Sequence, residues 1–257
     1  ELVNLNLQNQ QVRDYLLDVI DFWIDEFDID GIRLDCADCL DFGFMEQMRA
    51  RTSAKKQDFW LMGEVIHGDY ARYIGDGQHL LHSVTNYELH KGLYSGHNDH
   101  NYFEIAHTIR REFDENGGIY KGKKLYSFVD NHDVDRLASK LNNKAHMFPE
   151  YTLLYTLPGI PSIYYGSEWG IEGRKEGGND DPLRPALNLA EMEEKYKDCQ
   201  LTEHIRMLGR LKKELSPLSE GKYRELLLTN RQYAFARIQD DKAVIVAVNN
   251  DENPAHV

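Results

Sequence analysis

The sequence is poor in cysteine, in positive charge and in long apolar runs, and each shortage narrows the class of protein. Three cysteines in 257 residues are too few and odd in number for a disulfide framework, which favours a reducing compartment such as the cytoplasm. The net charge of −13 argues against nucleic acid as a partner, because phosphate binding needs clustered Lys and Arg; a neutral substrate fits better. No run approaches the roughly 20 apolar residues of a membrane-spanning helix, so no membrane partner is expected.

The chain nevertheless has enough apolar residues for a large core, since 41% of its residues are hydrophobic. Its opening segment, residues 1–11, is polar rather than shaped like a signal peptide. A first residue Glu1 in place of Met is typical of a processed form or a fragment.

Short apolar strands alternate with amphipathic helices over most of the chain, a pattern typical of parallel βαβ units. We predict five strands, at Gly31–Asp35, Phe59–Glu64, His82–Thr85, Lys124–Val129 and Pro161–Tyr165. We predict helices near Gln11–Phe27, Phe42–Ala54, Tyr102–Phe113, Lys144–Leu157 and Leu201–Leu215. The fold class is therefore α/β.

The character of the sequence changes beyond about Ser219. Three runs separated by turn residues predict antiparallel strands, at Tyr223–Leu228, Gln232–Ile238 and Ala243–Val248. We therefore expect an α/β domain over residues 1–217 and the beginning of a C-terminal β domain over residues 218–257.

Acidic residues lie at the ends of three of the predicted strands or just beyond them. Asp35 ends the first strand, Glu64 the second and Asp133 follows the fourth. In parallel α/β barrels, reactive residues cluster at the C-terminal ends of the strands. Carboxylates in these places suit a reaction that protonates a leaving oxygen and captures an electron-poor carbon, as glycoside hydrolysis does.

Arg33 lies two residues before Asp35, so on a strand the two side chains share a face, and Arg33 would hold Asp35 ionised. The residues alone leave other interpretations open. Any one of these acids is more commonly a solvated loop carboxylate. A metal hydrolase built on His132, Asp133 and Asp135 fits the same facts.

Three further patterns have both a functional and a structural interpretation. The Cys36-x-x-Cys39 pair is a candidate redox or metal motif, but it has no second such pair beside it, so a structural role is favoured. His97 and His100 are more typical of a solvated loop than of a metal site. The aromatic side chains that could stack on sugar rings, or equally anchor the core, are Tyr164, Tyr165 and Trp169.

Four segments carry a family resemblance. Gly31–Ala37 closely resembles the fourth-strand segment of the α-amylase family, glycoside hydrolase family 13. Gly63-Glu64 is similar to its fifth-strand segment and Phe128–Asp133 to its seventh. Tyr164–Glu168, which follows Pro158–Pro161, is similar to the eighth. These motifs stand in the order and spacing of the family, and the resemblance spans nearly the whole chain.

The resemblance implies a fold and an activity. The α/β domain would be the C-terminal part, about strands 4 to 8, of a TIM (β/α)8 barrel, followed by the start of an antiparallel β domain. The activity would be hydrolysis, with retention, of starch-derived glucans and maltodextrins linked α-1,4 or, as a further option, α-1,6. Transfer to another sugar by the same residues is one alternative, and a non-catalytic carbohydrate-binding or partner fragment is another.

The resemblance also implies roles for individual residues. Asp35 would be the nucleophile, Glu64 the general acid/base, and Asp133 the third carboxylate, which bonds sugar hydroxyls in the transition state. No residue is expected to bind a metal. The expected substrate contacts are Arg33, Asn131, His132, Tyr165, Asp180 and Arg184, with the register of the loop that begins at Gly177 open because Asp181 follows Asp180.

One position near the matched segments departs from the family pattern, and one further segment favours a subgroup of the family. Asp38-Cys39 stands where many amylases carry a Lys-His pair that contacts the acceptor sugar, so acceptor preference does not transfer. Leu2–Asn6 is similar to a segment of neopullulanase-like and other oligosaccharide-acting members, which favours a maltodextrin-active subgroup.

The first three strands of the family barrel have no counterpart in the sequence. Five strands cannot close a barrel and would leave unpaired edges at the Arg33 and Tyr164 strands. We therefore expect the chain to belong to a longer polypeptide, or to pair with its missing half or an oligomeric partner. No cofactor is required, and the calcium site that family members often have would lie mostly upstream of Glu1.

Overall fold

The computed structural model describes residues 3–256, so Leu2 of the Leu2–Asn6 segment lies outside the described residues. The chain forms two compact units. The first runs up to Thr85 and includes Lys123–Tyr126, and the second comprises Asn86–Gly122 and the chain from Ser127 onward. In the described part of the chain, no helix is both long and apolar enough to cross a membrane. The expected domain boundary at residue 217 stays a prediction.

A three-stranded parallel sheet lies at the centre of the first unit, in the order β1-β2-β3. Its strands are β1 (Gly31–Leu34), β2 (Trp60–Gly63) and β3 (Ser83–Val84). Leu34 is in register with Gly63, and Gly63 with Val84, so the three strands end together. Residues that follow these strands therefore meet at one edge of the sheet, as parallel pairing requires.

Three helices accompany this sheet: α1 (Gln10–Phe27), α2 (Phe42–Lys55) and α3 (Ala71–Ile74). Helix α1 begins after Asn9, whose side chain accepts a hydrogen bond from the N–H of Gln11. Its buried residues are spaced three and four apart on one face and are Leu17, Ile20 and Ile24. Ion pairs join α1 to α2, with Arg51 bonded to Asp18 and Asp21.

The second unit is mainly helical around a short two-stranded sheet, in which β4 (Tyr126–Phe128) pairs with β5 (Ile160–Ser162). Tyr126, the first residue of β4, falls in the first unit. Its helices are α4 (Tyr87–Asn98), α5 (Tyr102–Phe113), α6 (Leu137–Lys140), α7 (Met147–Thr156), α8 (Leu189–Lys195), α9 (Gln200–Glu214) and α10 (Ser216–Glu220). Helix α4 was absent from the sequence prediction, because Gly92 and Gly96 weaken its helical pattern.

An antiparallel sheet ends the second unit, as the sequence predicts. Its strands are β6 (Lys222–Leu228), β7 (Gln232–Gln239) and β8 (Lys242–Asn249), with β7 in the middle. Tyr233 and Phe235 of β7 are fully buried. The hydroxyl groups of Tyr223 and Tyr233 are 2.6 Å apart across β6 and β7, which satisfies two buried polar groups together.

The five strands predicted for the α/β region are all present, but the last was placed too far along the chain. It was expected at Pro161–Tyr165, and β5 ends at Ser162. The chain leaves the strand after Ser162 and forms a turn over residues 164–167, which is closed by the N–H of Ser167 donating to the carbonyl of Tyr164.

The first sheet packs so closely around Gly63, directly before Glu64, that it leaves no room for a side chain there. A Cβ atom at Gly63 would lie 2.5 Å from a methyl of Leu81 and 2.8 Å from the Cβ of Ala37. The Leu81 methyl can rotate away, but the Ala37 Cβ cannot. We expect Gly63→Ala to lower the free energy of unfolding by about 1–3 kcal/mol, measured by thermal unfolding.

The matched control is Gly117→Ala, because a Cβ there meets no atom within 4 Å. The control should unfold at the temperature of the unsubstituted chain or slightly above it. Equal unfolding temperatures for the two variants would contradict the described packing of Gly63.

Candidate active site

One guanidinium bonds two of the predicted catalytic acids at the ends of β1 and β2. Arg33 Nη1 lies 2.6 Å from Asp35 Oδ1, and Arg33 Nη2 lies 2.9 Å from Glu64 Oε2. The expected contact between Arg33 and Asp35 is confirmed. The contact between Arg33 and Glu64 joins two strands and was not predicted from the sequence.

The two carboxyl groups are close to each other. One oxygen of Asp35, one oxygen of Glu64 and the Sγ of Cys36 all lie within 4.8 Å of one another. Retaining glycosidases hold their carboxyl groups about 5–5.5 Å apart, and inverting enzymes about 6.5–9.5 Å. The side chains differ in exposure, at 74% for Asp35 and 6% for Glu64, so Asp35 is the one open to an incoming molecule.

The ionisation of Asp35 is set mainly by Arg33. The hydrogen bond from the Arg33 guanidinium lowers the pKa of the Asp35 carboxyl below its ordinary value, against a smaller opposing effect of burial. Asp35 therefore stays a carboxylate to lower pH than an isolated aspartate, and a carboxylate is the form that can act as a nucleophile.

Backbone hydrogen bonds fix the position of Glu64. Its N–H donates to the carbonyl of Leu34 and its carbonyl accepts from the N–H of Ala37, each at 2.8 Å. The N–H of Cys36 donates to Glu64 Oε2 at 3.3 Å. Glu64 is thus held by the neighbouring strand and by the turn that follows it.

The third predicted acid lies in the second unit, in the turn after β4. Asn131 Oδ1 accepts hydrogen bonds from the backbone N–H groups of Asp133 and Val134, which shape this turn. His132 Nε2 lies 3.0 Å from Asp133 Oδ2. Asn131 Nδ2 donates to the hydroxyl of Tyr87, a partner from α4 that was not predicted from the sequence.

The loop predicted to contact substrate reaches the same turn. Arg184 Nη2 lies 2.9 Å from Asp133 Oδ1, and Arg184 Nε donates to the carbonyl of His132. Asp180 Oδ2 lies 3.5 Å from Arg184 Nη2, whereas the carbonyl of Asp181 accepts the N–H of Arg184. The structure therefore pairs Arg184 with the side chain of Asp180.

Arg136 supports this region and was missed in the sequence. Its side chain is fully buried. It donates to the carbonyls of Tyr165 and Leu183 at 2.7 Å each, and its guanidinium lies 4.1 Å from the ring centre of Tyr164. Because Leu183 precedes Arg184, Arg136 holds the loop that carries Arg184. In the sequence, its position three residues after Asp133 was the one indication that Arg136 belongs to this region.

The aromatic candidates have separate environments. Tyr165 is 42% exposed and donates its hydroxyl proton to the carbonyl of Pro185. Its ring contacts Tyr164 edge to face, with ring centres 4.7 Å apart. Trp169 stacks on Tyr196 instead. Tyr165 is therefore beside the turn of Asp133 through Tyr164, whose ring centre lies 6.4 Å from that of His132.

The metal alternative finds no support in the geometry of its residues. Within residues 3–256, the group of three or more ligand-type residues close enough to hold an ion is Asp35, Cys36 and Glu64. His132, Asp133 and Asp135 form no such group; Asp135 instead accepts from the N–H of Lys175. His97 is buried and bonds the carbonyl of Leu93, so the expectation of a solvated loop is wrong for this residue.

Replacing Arg33 should change the ionisation of Asp35. We expect Arg33→Gln to raise the pKa of the Asp35 carboxyl towards its ordinary value, because the hydrogen bond that lowers it is lost. A carbon-13 NMR titration of the carboxyl groups measures this shift. Arg51→Gln is the control, because Arg51 pairs with Asp18 and Asp21 instead. An unchanged Asp35 titration in Arg33→Gln would contradict the assigned cause.

Comparison with known proteins places these residues in a family. The family model described as "Alpha amylase, catalytic domain" matches residues 1–213. Intracellular maltogenic amylase of Bacillus subtilis is 30% identical over 264 residues, covering 100% of this chain and 43% of that relative. Neopullulanase 2 of Thermoactinomyces vulgaris is also 30% identical, covering 96% of this chain and 41% of that relative.

A solved structure has the same fold over nearly the whole chain. It is a cyclomaltodextrin glucanotransferase with a three-domain ABC distribution, similar with a TM-score of 0.84 and 27% identity over 96% of this chain and 50% of that one. The structural neighbours are TIM-barrel enzymes with an antiparallel β-sheet domain, and this chain spans less than half the length of the curated relatives it matches. The chain belongs to the α-amylase family of glycoside hydrolases, among relatives that include maltogenic amylases, cyclomaltodextrinases and neopullulanases.

Proposed function

We propose that this chain provides the catalytic acids of a retaining hydrolase that acts on α-1,4-linked glucans and maltodextrins, with α-1,6 links as a further substrate. The observation that carries the proposal is the approach of Asp35 and Glu64, with carboxyl oxygens within 4.8 Å and Arg33 bonded to both. The names of the relatives, maltogenic amylase and neopullulanase, support α-glucans as the substrate class.

The proposed reaction is a double displacement. A carboxylate oxygen of Asp35 attacks the anomeric carbon, the glycosidic C–O bond breaks, and Glu64 gives its proton to the leaving oxygen. Water then gives a proton to Glu64 and attacks the same carbon, which frees Asp35 and releases a sugar with its original configuration. Arg33 orients Asp35 and keeps it ionised between turnovers. No cofactor takes part in either step.

Asp133 is proposed as the third carboxylate, which bonds sugar hydroxyls most strongly in the distorted transition state. Its partners support a binding role, because His132 and Arg184 hold one oxygen each and fix the orientation of the carboxylate. Asn131, Asp180 and Tyr165 complete the proposed substrate contacts. Neutral sugars suit such a group, since paired polar side chains bind hydroxyls by hydrogen bonds.

We further propose that β1 to β5 correspond to strands 4 to 8 of the barrel, and that the N-terminal half of the barrel completes the enzyme. Within residues 3–256, β1 has β2 as its single strand partner, and β5 has β4. An exposed aromatic cluster on α1 offers apolar surface to a further part of the fold; it consists of Phe22, Trp23 and Phe27. The length of the relatives is consistent with this assignment.

Transfer to a sugar acceptor is the second candidate, and the glucanotransferase with the same fold favours it. The covalent intermediate would then react with a sugar hydroxyl in place of water. Chromatography of the early products from maltotriose distinguishes the two reactions, since oligomers longer than the substrate form only by transfer.

Substitution of Glu64 tests the hydrolase in enzyme assembled from this chain and the N-terminal barrel half. We expect Glu64→Gln to lower the rate on maltotriose by about 10²-fold or more, because the general acid/base is lost. Proton NMR of the first products of the unsubstituted enzyme should show the α-anomer, which is the retained configuration.

Glu46→Gln is the matched control, since Glu46 is an exposed acid of α2 and should leave the rate unchanged. Initial formation of the β-anomer, or a full rate in Glu64→Gln, would exclude the proposed mechanism. An assembled enzyme that binds maltodextrins without cleaving them would instead support the non-catalytic alternative.

A further inference from the structure

The turn after Asp35 carries two free cysteines, Cys36 and Cys39, and both are exposed. The N–H of Cys39 donates to the carbonyl of Cys36 at 2.9 Å, which closes a tight turn over four residues. The Cα atoms at the ends of such a turn lie within about 7 Å, and a disulfide spans about 4.4–6.8 Å. We propose that Cys36 and Cys39 are a modification site, a dithiol that small-molecule disulfides oxidise reversibly to an internal disulfide.

The surroundings of the two sulfurs set the order of the reaction. The negative charge of Asp35, followed by burial and the charge of Glu64, raises the pKa of the Cys36 thiol. Because the thiolate is the attacking species, Cys36 is a slow first nucleophile at neutral pH. The Sγ of Cys36 also lies within 4.8 Å of carboxyl oxygens of Asp35 and Glu64, whose negative charge repels an anionic disulfide such as oxidised glutathione. We therefore expect Cys39 to attack first and Cys36 to react second, when the neighbouring mixed disulfide is already within reach.

The exchange balances with one molecule of a small disulfide, for which oxidised glutathione is the probe. The Cys39 thiolate bonds one of its sulfurs and releases the other as a glutathione thiolate. The Cys36 sulfur, after losing its proton to solvent, bonds the Cys39 sulfur and releases the second glutathione thiolate. The protein loses two electrons and two protons, and one disulfide becomes two thiols.

Oxidation of Cys36 and Cys39 would alter backbone hydrogen bonds that hold Glu64. Cys36 has a left-handed backbone conformation, with φ of 42°, and its N–H donates to Glu64 Oε2. The next N–H, that of Ala37, donates to the Glu64 carbonyl. A bond between the sulfurs would change the torsion angles of this turn, and with them the position of the Cys36 N–H that donates to Glu64. We therefore expect slower turnover in the oxidised form, a consequence that rests on the proposed role of Glu64.

Thiol titration and peptide mapping test the site without any assay of turnover. With excess oxidised glutathione, the titrated thiols of a Cys199→Ser variant should fall from two, Cys36 and Cys39, to none. The intact mass should fall by that of two hydrogen atoms, and a thiol reductant should restore both values. Cys36→Ser in the same background should instead accumulate a glutathione adduct at Cys39.

Glutathione adducts on both cysteines with no internal disulfide, or no reaction at either, would overturn the site. The consequence for turnover is measured separately in the assembled enzyme: the rate should fall several-fold on oxidation and recover on reduction, whereas a variant with both Cys36→Ser and Cys39→Ser should not respond. A disulfide that forms without changing the rate would overturn the link to Glu64. If the enzyme proved not to be a hydrolase, the thiol titration and peptide mapping would still decide whether the disulfide forms. The two proposals can therefore be rejected independently.

Discussion

Asp35 and Glu64 come from neighbouring strands, and the guanidinium of Arg33 bonds both of them. Carboxyl groups within 4.8 Å of each other repel whenever both are ionised, and the guanidinium places a positive charge against both. The register of β1 and β2 makes the shared contact possible, because Leu34 and Gly63 end their strands side by side. The small residue Gly63 also allows Ala37 to approach, and Ala37 begins the turn that bonds Glu64. The geometry of the pair thus depends on one cation and on close backbone packing.

In the second unit, too, an acidic side chain is oriented by a cationic partner. Asp133 is flanked by His132 and Arg184; Arg184 supplies a compensating positive charge, and both partners fix the direction of the carboxylate. Arg184 depends in turn on a loop whose backbone is held by the buried Arg136. The buried Arg136 guanidinium bonds backbone carbonyls that are distant in sequence and so fixes these segments relative to each other. Each of these bonds also satisfies a buried acceptor. The partly exposed Asp133 thus depends, through Arg184 and its loop, on the buried Arg136.

Much of the local structure could be predicted from the sequence. Apolar runs that end in Asp35 and Glu64 mark strand ends, because a short buried strand needs continuous apolar residues and a polar residue stops it. The turns between β6, β7 and β8 were equally visible, since Asn and Asp residues favour turns. The family segments added the roles of single residues, which no periodicity could have supplied.

The contacts that join distant segments could not be predicted. Three such contacts depend on tertiary packing: the ion pair of Arg33 with Glu64, the hydrogen bond from Arg136 to the carbonyl of Leu183, and the hydrogen bond from Asn131 to Tyr87. The register of Asp180 and Asp181 was open for the same reason, because both acids fit the motif and only the folded loop pairs Asp180 with Arg184. Helix α4 was missed because its glycines hide a helix that Asn86 caps.

The most direct test of the account is the identity of the residue that bonds the sugar. The enzyme assembled with its N-terminal barrel half would be treated with a slow-reacting fluorinated glucosyl fluoride, digested and analysed by mass spectrometry. The account predicts one glucosyl group, attached to the peptide that contains Asp35. A glucosyl group on another residue, or turnover of this reagent with no covalent intermediate in a quenched sample, would contradict it.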